Sequence, residues 1–236
     1  MFIDVVLNPA DIALHPQRDL TRSTCVVFDV LRATSSMITG LAHGVAEIHP
    51  VKTIEEAHEV NAQYPAALLA GERHGDPIPG FDLGNSPFEY REVAGRTIIS
   101  TTTNGTIALR ACESAAHVFV AALLNLQAVA DALLAREPET VVIVCAGTFT
   151  ELALEDVYAA GRLIQLLRSL HLSDSAQVAR AVAACSPNGH PILQQAKNGR
   201  VLAQNGRAAE VEWCAQESCF DVVGKMEAGV IRPLRA

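Results

Sequence analysis

Apolar residues follow two periods along this chain. Short, nearly continuous β-branched and apolar runs occupy residues 25–30, 46–51, 67–70, 97–101, 117–121 and 140–146. Between them, apolar positions recur at the spacing of one helix face, over 35–43, 54–63, 106–112, 126–136 and 152–170. A strand that is apolar on both faces must be covered on both faces, as a parallel strand between helix layers is. The alternation therefore predicts a three-layer α/β/α fold with a mainly parallel, mixed sheet. Thr53, with Glu56 three positions on, adds a capping signal for the helix at 54–63. Beyond residue 173 the rhythm changes to a helix at 173–184, one or two short helices within 189–205, and short strands at 220–223 and 229–231. No repeat or flexible linker divides the chain, so residues 1–236 read as one α/β unit or two closely packed lobes.

Composition narrows the function classes. Half of the residues are hydrophobic, enough for a large core, and the net charge of −8 argues against a nucleic-acid or anionic-membrane surface. An anionic substrate would therefore need positive charge supplied locally, by a few arginines or by a metal ion. The longest apolar runs, such as 140–146, fall far short of the roughly 20 residues that span a bilayer. The N-terminal stretch 1–19 carries Asp4 and Asp11 and lacks a basic start, which disfavours a signal peptide. The six cysteines form no CxxC pair and read as reduced thiols of a cytoplasmic protein. The apolar content leaves room for a homodimer interface.

Four segments stand just past predicted strand ends, where α/β sheets collect ligands. The first, 29–36, places Asp29 at a strand end, then Arg32, then Thr34, Ser35 and Ser36 at a helix start. An acid there can hold a hard cation, a guanidinium can grip an anion, and a helix start offers amides; the plain alternative is an ordinary capped helix. The second, 100–106, joins four hydroxyl residues to Asn104-Gly105-Thr106 and suits an anion nest or a polar turn; it lacks the Walker spacing. The third, 71–87, is rich in Gly and Pro and carries Glu72, Arg73, His74 and Asp82. A loop of this length is commonly functional, although a salt-bridged surface loop would look the same, and a loop histidine is more often solvent-facing than catalytic. The fourth, 146–156, sets Gly147 after a buried strand and adjacent acids Glu155 and Asp156 on a helix start, where a solvated face is the ordinary reading. The histidines at 43, 49, 58, 117, 171 and 190 show no ligand spacing. Neither GxSxG nor GxGxxG occurs.

Together these segments resemble the 2-phosphosulfolactate phosphatase (ComB) family. The matching pieces, in order, are DVLRATS at 29–35, GER at 71–73, GFDLGNSP at 80–87, TTTNGT at 101–106, VCAG at 144–147 and LEDVYAAG at 154–161, with looser matches around Gly199 and at 220–223. The chain differs from the pattern at His74, at Thr148-Phe149-Thr150 and at Val223-Gly224-Lys225. The resemblance implies a three-layer α/β/α fold and a Mg²⁺-dependent phosphatase that converts (2R)-2-phospho-3-sulfolactate to 3-sulfolactate, a step in coenzyme M biosynthesis. Carried over motif by motif, it implies Asp29, Arg32 and Glu72 as catalytic groups. It implies Asp29, Glu72 and Glu155 or Asp156 as carboxylates for Mg²⁺. For the small phosphorylated anion it implies Arg73, Thr34, Asn85, Ser86, Thr102, Thr103, Asn104, Gly105 and Thr106. A phosphatase for another 2-phosphohydroxy acid, and a non-catalytic binder of a small phosphorylated acid, are the rival readings.

Overall fold

The computed structural model describes residues 1–12, 19–169 and 171–234. Strands β1 (Phe2–Val6), β2 (Ser23–Phe28), β7 (His117–Ala121) and β8 (Thr140–Cys145) form one parallel group in the order β1-β8-β2-β7. Strands β3 (Glu47–Val51), β4 (Leu68–Arg73) and β6 (Thr97–Thr101) form a second parallel group in the order β3-β6-β4, with the two-residue β5 (Asp76–Pro77) antiparallel at its edge. Between the groups lies the C-terminal hairpin of β9 (Gly224–Glu227) and β10 (Val230–Pro233), antiparallel to both neighbours. Three antiparallel pairings in succession mean that the two parallel groups run in opposite senses.

Helices cover both faces, as the two-sided apolar strands require. On β2, Cys25 and Val27 face the cluster built with α2 (Ala33–Ala42) and α5 (Gly105–Ala111), whereas Val26 and Phe28 face α6 (Leu126–Arg136), α7 (Leu154–Leu167) and α8 (Asp174–Ala184). Ile48, Ile98 and Ala70 of the second group share the α2–α5 cluster. Their neighbours Val51, Ile99 and Leu69 pack on Ala57 of α3 (Ile54–Gln63). One helix pair thus joins both halves of the sheet. Its two N-termini meet: a Cβ on Gly105 would fall 2.7 Å from the Ala33 Cβ.

The structure departs from the sequence reading at particular elements. β1 was not expected, because its run is interrupted by Asp4; it completes the sheet edge against β8. The short α1 (Pro9–Ile12), α4 (Pro87–Tyr90) and α11 (Ala208–Cys214) also lack a long periodic signal. Residues 220–223 are not a strand; pairing starts at Gly224, where Val120 and Leu41 come within 3.2 Å of a built Cβ. The 189–205 segment is two helices, α9 (Gly189–Gln195) and α10 (Lys197–Gln204), divided at Ala196, whose backbone is extended. α7 stops at Leu167 with Arg168 in the left-handed region, and the expected helix end at residue 170 lies outside the described residues, as do residues 13–18 of the N-terminal stretch. Among the described residues no helix is long and apolar enough to cross a membrane. The six cysteines are free thiols.

Candidate active site

A cavity of about 150 Å³ opens where the loops leaving β2, β4, β6 and β8 converge, with α10 forming its remaining wall. Asp29 lies at its base. The turn from β2 into α2 is closed by Thr34, whose Oγ1 accepts from the Asp29 amide at 3.0 Å and donates to the Asp29 carbonyl at 3.0 Å. This leaves the Asp29 carboxylate to the helix start: Oδ1 accepts the Ala33 amide at 3.1 Å, and Oδ2 faces Gly105, where a Cβ would fall 2.5 Å away. Only a glycine lets the start of α5 approach this closely. Burial raises the Asp29 carboxyl from 3.8 to about 7, opposed by the Ala33 amide and reinforced by the charges of Glu72 and Glu155.

Arg32 lines the cavity but does not stand free in it. Its Nη1 donates to Glu210 Oε2 at 2.6 Å, an ion pair in which both side chains are less than a tenth exposed. Glu210 Oε1 accepts Ser86 Oγ at 3.1 Å, and Ser86 Oγ in turn accepts the Phe88 amide to cap α4. Ser86, expected at the substrate, therefore braces Arg32 from behind. Its neighbour Asn85 does line the cavity, and its buried Oδ1 has no hydrogen-bond partner among the described residues. The Asn85 carbonyl is held by Ser36 Oγ at 2.9 Å, which fixes the backbone around that orphaned oxygen.

Glu72 lines the opposite wall. Oε1 accepts the Thr103 amide at 2.6 Å, and Oε2 accepts Thr103 Oγ1 at 3.0 Å and the Gly75 amide at 2.7 Å. It clamps the β4–β5 hairpin to the loop after β6. Arg73 points elsewhere: its guanidinium is taken by the Glu72 carbonyl, Thr101 Oγ1 and, at 3.4 Å, the Lys52 carbonyl. Arg73, expected to hold the anion, does not line the cavity, because alternate strand residues face opposite ways and Glu72 has the cavity side. Thr102 and Thr106 close the β6–α5 turn reciprocally, each amide donating to the other's Oγ1 at 3.0 Å, so both expected donors serve the loop and not the cavity. Asn104 sits at the cavity with its side chain fixed to the Ala146 carbonyl and to both the amide and the carbonyl of Phe149. Thr34, likewise, is spent on its own turn.

The acids of α7 stand behind the cavity wall. Asp156 bridges β2 and β8, accepting the Val30 amide at 2.8 Å and the Gly147 amide at 3.0 Å. Burial, then the charges of Glu155 and Asp29, push its carboxyl well above the usual range. Glu155 is also raised by burial and accepts Asn198 Nδ2 at 2.7 Å. Among the described residues, no three His, Cys, Asp or Glu side chains converge as one chelate. Of the four carboxylates expected to serve a cation, Asp29 and Glu72 line the cavity, whereas Asp156 accepts two backbone amides and Glu155 accepts Asn198 behind its wall.

Residues missed by the sequence reading complete the site. Lys197 and Asn198, at the start of α10, line the cavity; Lys197 pairs with Glu151 at 2.7 Å, and Asn198 also holds Thr148 Oγ1 at 2.6 Å. Glu210 sits on α11, the helix that periodicity did not reveal. A buried charge on so short an element carries no local signal. Asp29, Glu72 and Asn85, which line the cavity, carry oxygen donors of the kind that suits a hard cation such as Mg²⁺, which takes few protein ligands and retains water.

A family profile described as 2-phosphosulpholactate phosphatase matches residues 11–229. A protein of Deinococcus radiodurans, named "Probable 2-phosphosulfolactate phosphatase", is 43% identical over 210 residues, covering 86% of this chain and 88% of that protein. Proteins of the same name from Carboxydothermus hydrogenoformans and Clostridium acetobutylicum are 40% and 35% identical, over 93% and 98% of this chain and 94% and 100% of theirs. The match runs through every loop that builds the cavity, and the chain belongs to the 2-phosphosulfolactate phosphatase family.

Proposed function

We propose that this chain is a Mg²⁺-dependent phosphatase that hydrolyses (2R)-2-phospho-3-sulfolactate to 3-sulfolactate and phosphate. The observation that carries this reading is that Asp29, at the junction of two helix N-termini, lines one cavity with Glu72 and with Asn85, whose Oδ1 has no hydrogen-bond partner among the described residues. The cavity's two cationic side chains, Arg32 and Lys197, are already neutralised by Glu210 and Glu151. A substrate that is anionic at its phosphate, carboxylate and sulfonate therefore needs a cation to enter with it. Mg²⁺, when bound, supplies that neutralisation and polarises the phosphoryl group. Asp29, Glu72 and Asn85 are the residues that would hold it.

The chain's own groups divide the remaining work. Arg32, oriented by Glu210 and Ser86, offers its other N–H groups to an anionic oxygen. The starts of α2 and α5 direct the positive ends of their dipoles toward the same point. Asp29 attacks phosphorus; the phosphorus–oxygen bond to the hydroxy acid breaks, and the leaving oxygen takes a proton from water. Water then hydrolyses the acyl phosphate and restores the carboxylate. Burial favours the acid form of Asp29, and a cation held beside it would favour the ionised form that attacks.

Purified protein with Mg²⁺ should release phosphate from 2-phosphosulfolactate, and EDTA should stop the release. Acid quench during turnover followed by borohydride reduction should convert Asp29 to homoserine, detected by mass spectrometry. Phosphate release without any reduced Asp29 would assign the attack to water. Binding of the substrate with no release at any Mg²⁺ concentration would leave the protein a binder of phosphorylated acids.

A further inference from the structure

The mouth of the cavity carries a contact that the proposed chemistry does not use. His74, from the loop after β4, and Phe149, from the loop after β8, stack with ring centroids 5.3 Å apart and planes inclined by 22°. Both line the cavity, and both are non-glycine residues in the left-handed region, with φ of 56° and 55°. A side chain in that region is disfavoured relative to glycine. The surroundings hold both backbones there. The His74 amide donates to Thr103 Oγ1 at 3.0 Å, and Asn104 takes the Phe149 amide through Oδ1 at 2.9 Å. One two-residue stretch, 103–104, therefore places both rings, and the stack spans loops that leave the two opposed halves of the sheet.

We propose, resting on the phosphatase reading, that the His74–Phe149 stack is the wall that sets substrate size. The rings line the same cavity as Arg32 and Asp29 and limit the group that a 2-phosphohydroxy acid carries on its third carbon. A compact sulfonate is admitted and a bulky substituent is refused. Both rings act through one contact, so loss of either opens the same wall.

Glycine suits the local backbone at both positions, so His74→Gly and Phe149→Gly remove a ring without adding strain. The test compares kcat/KM for 2-phospho-3-sulfolactate and 2-phospho-3-phenyllactate, with Mg²⁺ present, for the wild type, both single variants and the double variant. The wild type should favour the sulfolactate ester strongly. Each single variant should narrow that preference by about tenfold or more, the scale on which a pocket discriminates by size. The double variant should narrow it little further than the larger single effect. In parallel, ¹H NMR should show ring-current-shifted His74 protons in the wild type and not in Phe149→Gly. Preferences within about twofold of the wild type in both single variants, with the NMR shift present, overturn the wall. Independent, multiplying effects overturn the shared contact. A wild type that releases phosphate from neither ester overturns the phosphatase reading itself, a result distinct from release with an unmoved preference.

Discussion

Asp29 should make the cation-free protein less stable as pH rises. Its carboxyl is raised from 3.8 to about 7, so the folded state holds a proton that the unfolded chain has released across that window. The folded state then binds more protons than the unfolded one, and stability falls as pH increases. The effect is absent below the unfolded value, grows between it and about 7, and is constant above that. At 1.36 kcal/mol per unit, the displacement amounts to about 4 kcal/mol by pH 8, and to about 1.6 kcal/mol at pH 5. Asn at this position keeps an acceptor for the Ala33 amide but has no charge to bury. Asp29→Asn should therefore stabilise the protein in EDTA by about 4 kcal/mol at pH 8, and by less than half of that at pH 5. Urea denaturation at the two pH values measures both quantities. Mg²⁺ should narrow the gap at pH 8, since it binds the folded wild type: about 2.7 kcal/mol is gained at a concentration a hundredfold above Kd. A stability difference between Asp29→Asn and wild type that is equal at pH 5 and pH 8 would refute the buried-acid argument. A wild type that Mg²⁺ does not stabilise would remove Asp29 from the cation site.

Three further outcomes are expected. Arg32→Ala should lower kcat/KM on the order of 10²-fold, as loss of a transition-state donor does, and an unchanged rate would place the anion elsewhere. Glu210→Ala leaves Arg32 buried without its partner, so it should cost about 3–5 kcal/mol in urea denaturation; a cost below about 1 kcal/mol would mean that Arg32 finds solvent. Gly105→Ala puts a methyl 2.5 Å from Asp29 Oδ2, and should reduce kcat by about tenfold or more while destabilising the fold by about 1–3 kcal/mol. Full activity in that variant would show that the start of α5 can move without consequence.

The division between local and tertiary information follows from how far each signal reaches. Sequence periodicity identified β2, β3, β6, β7 and β8 and their covering helices, because an apolar run on both faces has few other solutions. It marked Asp29, Glu72 and the 102–106 turn as unusual, because polar residues at strand ends need partners, and the family resemblance added Asn85. What it did not resolve was which of those polar groups face outward into a cavity and which are consumed by their own loops. Thr34, Thr102 and Thr106 carry the same hydroxyl as Thr103, yet the first three close turns and the fourth grips Glu72. Arg73 looked like an anion contact beside Glu72, but strand alternation turned it to Thr101.

The remaining decisions depend on residues far apart in sequence. Arg32 is oriented by Glu210, 178 positions away, on a helix too short to announce itself. His74 and Phe149, 75 positions apart, meet where 103–104 holds both loops. The sequence by itself therefore determined the layers, the family and the residue types of the site. Tertiary structure alone decided which oxygens stay unpaired in the cavity, since hydrogen-bond satisfaction is a property of the folded surroundings and not of the residue.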